Sequence, residues 1–168
     1  MISEAVATHP IVVALQQESS SWLVSANIAL GELTIEVEAD RVAHVCRFLR
    51  DEKAFNRLST VTAVDRYPVE PRFEVVYHLY SITLKRRVRV KARVVSENPE
   101  LDSVIPVWPS ANWYEREVFD LFGIRFRNHP EMTRILMPEG WEGHPLRKDY
   151  PVHGHRYDYA EPEGGNSL

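Results

Sequence analysis

Hydrophobic residues change their spacing several times along this chain, and each change marks an element. Leu33, Ile35 and Val37 alternate with Thr34, Glu36 and Glu38, the period of a half-buried strand. With residues 23–30 ahead of it and Gly31-Glu32 between, this predicts a hairpin of residues 23–30 and 33–39. Asp40 is placed to cap the next helix. Val42, Val45, Cys46 and Leu49 recur at i, i+3, i+4 and i+7, which predicts that helix to carry one apolar stripe. Residues 58–65 read as a third strand, and Pro68 and Pro71 as the turn that leaves it. Phe73, Val75, Tyr77 and Leu79 alternate with Glu74, Val76, His78 and Tyr80. Val88, Val90, Ala92 and Val94 alternate with Arg87, Arg89, Lys91 and Arg93. These two runs predict an antiparallel hairpin with its loop near residues 81–86.

The helical signals frame these strands. Residues 10–18 predict a short helix opened by Pro10, and residues 1–9 are expected to fray. Asn98-Pro99 predicts a helical turn carrying Leu101, Val104 and Ile105, ended by Pro106. Between Pro109 and Gly123, Trp113, Glu117 and Leu121 recur at i+4, as do Tyr114, Val118 and Phe122. A helix apolar on more than one side must be covered, and Gly123 suits its left-handed end. The expected class is therefore α+β, a small mainly antiparallel sheet with helices packed on it and an irregular C-terminal extension. Residues 1–128 are the expected α+β domain, and residues 129–168 an extended partner-docking arm with a flexible end.

Past His129 the periodicity disappears while the apolar content stays. Met132, Ile135, Leu136, Met137, Trp141, Leu146 and Tyr150 are interrupted by Pro130, Pro138, Gly140, Gly143 and Pro145. Neither helix nor strand can sequester such a run, so it is expected to lie on another surface. The residues expected at a partner interface are Leu136, Met137, Trp141, His144, Leu146, Arg147, Lys148 and Tyr150.

Two blocks here resemble a known family. Glu115-Arg116-Glu117 through Asp120-Leu121-Phe122-Gly123-Ile124 is the first. His129-Pro130, Arg134-Ile135-Leu136 and the run Trp141-Glu142-Gly143-His144-Pro145-Leu146-Arg147-Lys148-Asp149-Tyr150-Pro151 make up the second. Together they resemble the signature of the C-subunit, the hydrophilic 30-kilodalton subunit of proton-pumping NADH:quinone oxidoreductase, respiratory complex I. A weaker likeness reaches upstream through Phe73-Glu74-Val75-Val76-Tyr77 and Val61-Thr62-Ala63-Val64-Asp65. The resemblance implies a non-catalytic peripheral-arm subunit on the cytoplasmic side of the bacterial inner membrane. It implies packing on the D-subunit with the B- and I-subunits nearby, and support for assembly of the quinone-reducing module. FMN, iron–sulfur clusters and quinone would belong to other subunits. No fused D-subunit domain is expected after the signature. The alternative is the equivalent subunit of a ferredoxin-fed or hydrogenase-like membrane complex.

Composition narrows the chemistry. A net charge of −4 and 44% hydrophobic residues fit one globular domain and argue against general nucleic-acid binding. The basic strand face Arg87, Arg89, Lys91, Arg93 lacks interleaved aromatics, and is expected to be solvated or matched by acids such as Glu36 and Glu38. No apolar run reaches the roughly 20 residues of a membrane helix, and no basic segment precedes an apolar core at the N-terminus, so no secretory leader is expected. Cys46 is the only cysteine, too few for an iron–sulfur cluster, and its place in the helical stripe makes it a core residue.

Seven histidines raise a metal reading. His129, His144, His153 and His155 could serve a zinc-dependent hydrolase, but no HExxH, Cys pair or helical His pair fixes a ligand geometry. No glycine-rich phosphate loop or nucleophile elbow occurs. Glu115, Glu117 and Asp120 could be read as acid–base residues. Buried carboxylates are usually paired, so structural ion pairs among Glu115, Arg116, Glu117, Asp120 and Arg134 are expected instead, pinning the irregular segment to the helix.

Overall fold

The structure is a computed structural model and describes residues 4–151. Two helical segments, α1 (Glu4–Ala7) and α2 (Pro10–Glu18), precede the hairpin of β1 (Leu23–Ala29) and β2 (Glu32–Val37). Helix α3 (Val42–Lys53) comes next, then β3 (Arg57–Asp65), β4 (Phe73–Ser81) and β5 (Arg86–Val94). The chain then forms β6 (Glu100–Asp102), α4 (Ala111–Phe122) and β7 (Arg125–Arg127). The main sheet runs β1-β2-β5-β4-β3; only the β2–β5 pair is parallel. This is the expected α+β class, with a mainly antiparallel sheet.

One face of that sheet makes the core. Leu33, Ile35 and Val37 from β2, Val88, Val90 and Ala92 from β5, and Phe73, Val75, Tyr77 and Leu79 from β4 all point into it and are buried. The stripe of α3 closes over them, with Val42, Val45, Cys46 and Leu49 fully buried. Burial pushes the Cys46 thiol far above its ordinary value, so it is an inert packing group. The β1–β2 turn places both Leu30 and Gly31 in the left-handed region, the backbone of a two-residue hairpin turn. It sits one residue earlier than the pattern predicted.

The structure corrects three local expectations. Residues 98–105 are not a helical turn: Glu100–Asp102 is a strand, paired in parallel with Arg125–Arg127. Its partner lies some 25 residues downstream, so the local spacing of Leu101, Val104 and Ile105 could not reveal it. Asp40 does not cap α3. It lies in a short 3-10 turn, Ala39–Arg41, and its carboxylate pairs with Arg41 at 3.3 Å, while the helix begins without a side-chain cap. The N-terminal segment is also not wholly frayed, since Val6 in α1 is buried in the core. The expected disorder of residues 161–168 falls outside the described residues.

The outer face of the sheet is charged and largely self-matched. Glu74 is buried beneath Lys91 at 2.8 Å, Arg66 at 3.2 Å and Arg93 at 3.6 Å. Burial opposes its ionisation, yet the bonds from Lys91 and Arg66 prevail and hold it below the ordinary carboxylate value. Arg93 also reaches Glu36 at 2.9 Å. Arg89, Lys91 and Arg93 of the basic face are thus matched by Glu32, Glu74 and Glu36, while Arg87 has no ion pair and no ion pair to Glu38 is present among the described residues.

Candidate functional site

Helix α4 and the segment after β7 form one unit. Gly123 ends the helix at φ 77°, and its N–H closes on the Phe119 carbonyl at 2.8 Å. From residue 128 to 151 no helix or strand forms. Such a segment needs outside partners for its backbone, and α4 supplies them from one residue. The Asp120 carboxylate, fully buried, accepts N–H bonds from Ile135 (3.0 Å), Leu136 (2.8 Å) and Met137 (2.8 Å) on Oδ2, and the Arg134 guanidinium on Oδ1 at 2.7 Å. Three successive amides turned on one oxygen make an anion nest. Burial works against the charge, but these bonds outweigh it and hold the Asp120 pKa below the ordinary value.

The arm is tied at further points. Arg116 donates to the carbonyls of Thr133 and Arg134, both at 3.1 Å, and stacks over Trp113. Arg134 donates to the Gly143 carbonyl at 2.9 Å. His144 Nδ1 donates to the Asp120 carbonyl at 2.9 Å, and the ring meets Phe119 edge-on. Desolvation lowers the His144 pKa, consistent with a neutral ring. The Leu146 N–H donates to the Leu121 carbonyl at 3.0 Å.

At the far end Arg72 makes two forks. It holds Asp65 at 2.9 and 2.7 Å and Asp149 at 2.8 and 2.7 Å, the bidentate geometry that makes arginine–carboxylate pairs strong. Asp65 also accepts from the Lys148 N–H at 2.7 Å. Burial opposes ionisation of Asp65, but the Arg72 bond and these amides bring its pKa down to about 2. Arg147 bonds Asp149 and lies over the Phe73 ring.

This arrangement redistributes the residues singled out from the sequence. Arg134 and Asp120 form an ion pair. Arg116 reaches backbone carbonyls rather than Asp120, because Asp120 faces the nest. Glu117 is exposed and has no ion pair among the described residues. Glu115 has none either. It is fully buried, accepting from Ser103 Oγ at 2.6 Å and the Val104 N–H at 2.7 Å, and desolvation raises its pKa to about 7. Its role is to hold the 103–104 loop against α4. Asp149 and Arg147 turn toward their own domain. Three large apolar side chains stay accessible among the exposed charged ones: Leu136 is 58% exposed, Leu146 50% and Trp113 63%. Met137, Trp141 and Tyr150 are half-buried and Lys148 exposed.

Sequence reasoning missed the Arg72–Asp65 anchor. A signal existed: Asp65 shares the inward parity of Val61 and Ala63, and a carboxylate on an apolar face requires a cation. Of the histidines, His129 uses both ring nitrogens on the backbone of Asn112 and Glu131, and His153 and His155 lie outside the described residues. Among the described residues no group of three or more His, Cys, Asp or Glu could hold a metal, and no helix is long and apolar enough to cross a membrane.

Known proteins are similar to this chain in sequence and in fold. A family model described as respiratory-chain NADH dehydrogenase, 30 Kd subunit, matches residues 35–156. The C-subunit of NADH-quinone oxidoreductase from Geobacter sulfurreducens is 47% identical over 144 residues, covering 85% of this chain and 89% of the relative. The same-named protein of Roseiflexus sp. is 52% identical over 124 residues, covering 73% and 71%. Among solved structures, the trypsin-resistant fragment (1-134) of Nqo5 superposes with a TM-score of 0.61 at 32% identity, covering 71% of this chain and 96% of that one. A chain of the archaeal membrane-bound sulfane sulfur reductase, a respiratory membrane complex, gives 0.76 at 26% identity, covering 94% of each. With a family match across most of its length, and with relatives about half identical over the aligned residues, the chain belongs to the 30 Kd subunit family of respiratory-chain NADH dehydrogenase.

Proposed function

We propose that this chain, a peripheral-arm subunit of an NADH:quinone oxidoreductase, acts in that complex as a non-catalytic brace that supports the quinone-reducing module. Residues 1–128 are its folded body, and residues 129–168 the arm that meets the D-subunit, with the B- and I-subunits nearby, on the cytoplasmic side of the bacterial inner membrane. Electrons pass from NADH to quinone through FMN and iron–sulfur clusters carried by other subunits. The single observation that supports this reading is how the arm is held. Its backbone is strapped to its own domain through Asp120 and Arg72, yet Leu136 and Leu146 stay at least half exposed. A pre-shaped apolar face loses little conformational freedom on docking, which favours affinity.

A ferredoxin-fed complex is less favoured. Relatives at about half identity carry the name of the NADH-quinone oxidoreductase C-subunit, against 26% identity for the archaeal reductase chain. The test replaces Leu136 and Leu146 together by serine. Both side chains are at least half exposed, so the isolated chain should keep its thermal midpoint. Burying the half of each leucine still exposed is worth about 1 kcal/mol, so the double variant should recover roughly tenfold less D-subunit and less assembled, quinone-reducing complex. Trp141→Ala, at a half-buried position, should weaken attachment as well. Unchanged recovery of the partner proteins by the double variant would sink the reading.

A further inference from the structure

We propose that the outer face of the main sheet carries a second docking site, an arginine-walled depression that takes an Asp/Glu-rich segment of a neighbouring polypeptide. Its residues are separate from the arm, so it stands or falls independently of the arm's role.

The charge pattern along β5 points to it. Arg93, Lys91 and Arg89 each have a carboxylate partner on a flanking strand. One row further the matching stops. Arg57 of β3, Tyr80 of β4 and Arg87 of β5 stand side by side in register. Both arginines are exposed, and among the described residues neither has an ion pair. A net acidic protein (charge −4) thus concentrates unmatched positive charge at one end of one face. The next row places Thr60, His78 and Arg89 beside it. Arg57, Thr60, His78, Tyr80, Arg87 and Arg89 line a depression of about 640 Å³ together with Glu32, whose carboxylate is already taken by Arg89. The register of β3 slips between Leu58 and Thr60, the kind of bulge that re-aims side chains at a sheet edge.

The donors decide the ligand class. The floor is the backbone of β4, whose amides are spent in the ladders with β3 and β5, and it has neither a helix N-terminus nor a run of free N–H groups. A lone phosphate is ordinarily cradled by such groups. What remains is side-chain forks, whose planar geometry matches carboxylates two bonds at a time. Arg57 and Arg87 spring from strands two spacings apart, about 10 Å, so a single anion does not satisfy both forks. Two acidic side chains about 7 Å apart on one face of an extended segment can each engage one. Tyr80 is the only aromatic ring in the row, which leaves no platform for stacked bases.

The test uses the full chain and a fluorescein-labelled ten-residue peptide of alternating Glu and Ala, read by anisotropy at low and at physiological salt. Arg57→Ala/Arg87→Ala should weaken binding by about tenfold per arginine, the loss of one charged hydrogen-bonding partner each. Arg57→Lys/Arg87→Lys, which keeps the charge and loses the fork, should fall between that variant and the parent. Its thermal midpoint shows that the fold persists. The control Arg47→Ala/Arg125→Ala removes two exposed arginines elsewhere and should leave affinity unchanged. Equal losses in the control and the test variant would reduce the effect to net charge and overturn the site. Displacement of the peptide by stoichiometric inorganic phosphate would also overturn it. So would Arg57- and Arg87-dependent binding to phosphatidylserine vesicles without peptide binding. A peptide of residues 152–168 that outcompetes the probe would make the occupant this chain itself and overturn the partner assignment.

Discussion

Asp120→Asn isolates the force that holds the arm. The carboxylate accepts three backbone N–H bonds and one guanidinium bond while fully buried. The amide keeps the shape but presents one oxygen and an NH2 group, so either Arg134 or the three amides of the nest face a donor. If the oxygen stays on the nest, three charge-assisted bonds become neutral and the Arg134 bond is lost. Hydrogen bonds to charged groups contribute about 1.5–3 kcal/mol against about 0.5–1.5 for neutral ones, so the three conversions cost about 4 kcal/mol together and the lost Arg134 bond about 2 more. Residues 135–137 are partly solvated, and water recovers part of it, leaving about 3 kcal/mol. That corresponds to arm opening about 100-fold more frequent.

Limited trypsin digestion reads this directly, because Arg134, Arg147 and Lys148 lie in the arm. Hydrogen exchange at Ile135, Leu136 and Met137 reads it residue by residue. Glu117→Gln, an exposed change on the same helix, should alter neither. Cleavage and exchange in Asp120→Asn within about twofold of the parent, far below the change expected from these bond energies, would refute the nest as the arm's main fastening. The pH dependence has a definite sign. Asp120 and Asp65 both titrate below their ordinary value of 3.8 when folded, Asp65 at about 2. Their stabilisation is present above about pH 4 and is lost as pH falls toward about 2, so the parent arm should open over that window.

Neighbouring residues carry further expected outcomes. Gly123→Val should lower the thermal midpoint, since a Cβ there meets His144 Cδ2 at 2.6 Å and the φ of 77° strains a β-branched residue; an unchanged midpoint would contradict the cap. Glu115→Gln should remove a pH dependence of opposite sign. The folded carboxyl titrates at about 7 against an ordinary 4.5, so its contribution is fully present below 4.5 and lost as pH rises through about 7, about 3 kcal/mol by pH 8. Chemical denaturation of the two proteins across that range checks it. The purified chain should show no stoichiometric flavin or iron–sulfur absorption, because one cysteine cannot ligate a cluster and no nucleotide fingerprint is present.

The sequence by itself determined what repeats locally. Alternation fixed which faces of β2, β4 and β5 turn inward, because a strand's side chains have a period of two and only one face meets the core. The i, i+3, i+4 stripe of Val42, Val45, Cys46 and Leu49 fixed the buried side of α3, and Gly123 the end of α4, where a left-handed residue is needed. The aperiodic apolar run after His129 announced a segment without helix or strand, and the signature blocks announced the family. Tertiary structure decided the partners. Arg72 and Asp149 meet across 77 positions, and β6 finds β7 some 25 residues away. Asp120 and Glu115 look alike on one helix, yet one is ionised by a cation and a nest of amides while the other is held near neutrality by desolvation. Periodicity encodes direction, which is local. Polar satisfaction depends on which distant donor arrives, and only the folded chain supplies that donor.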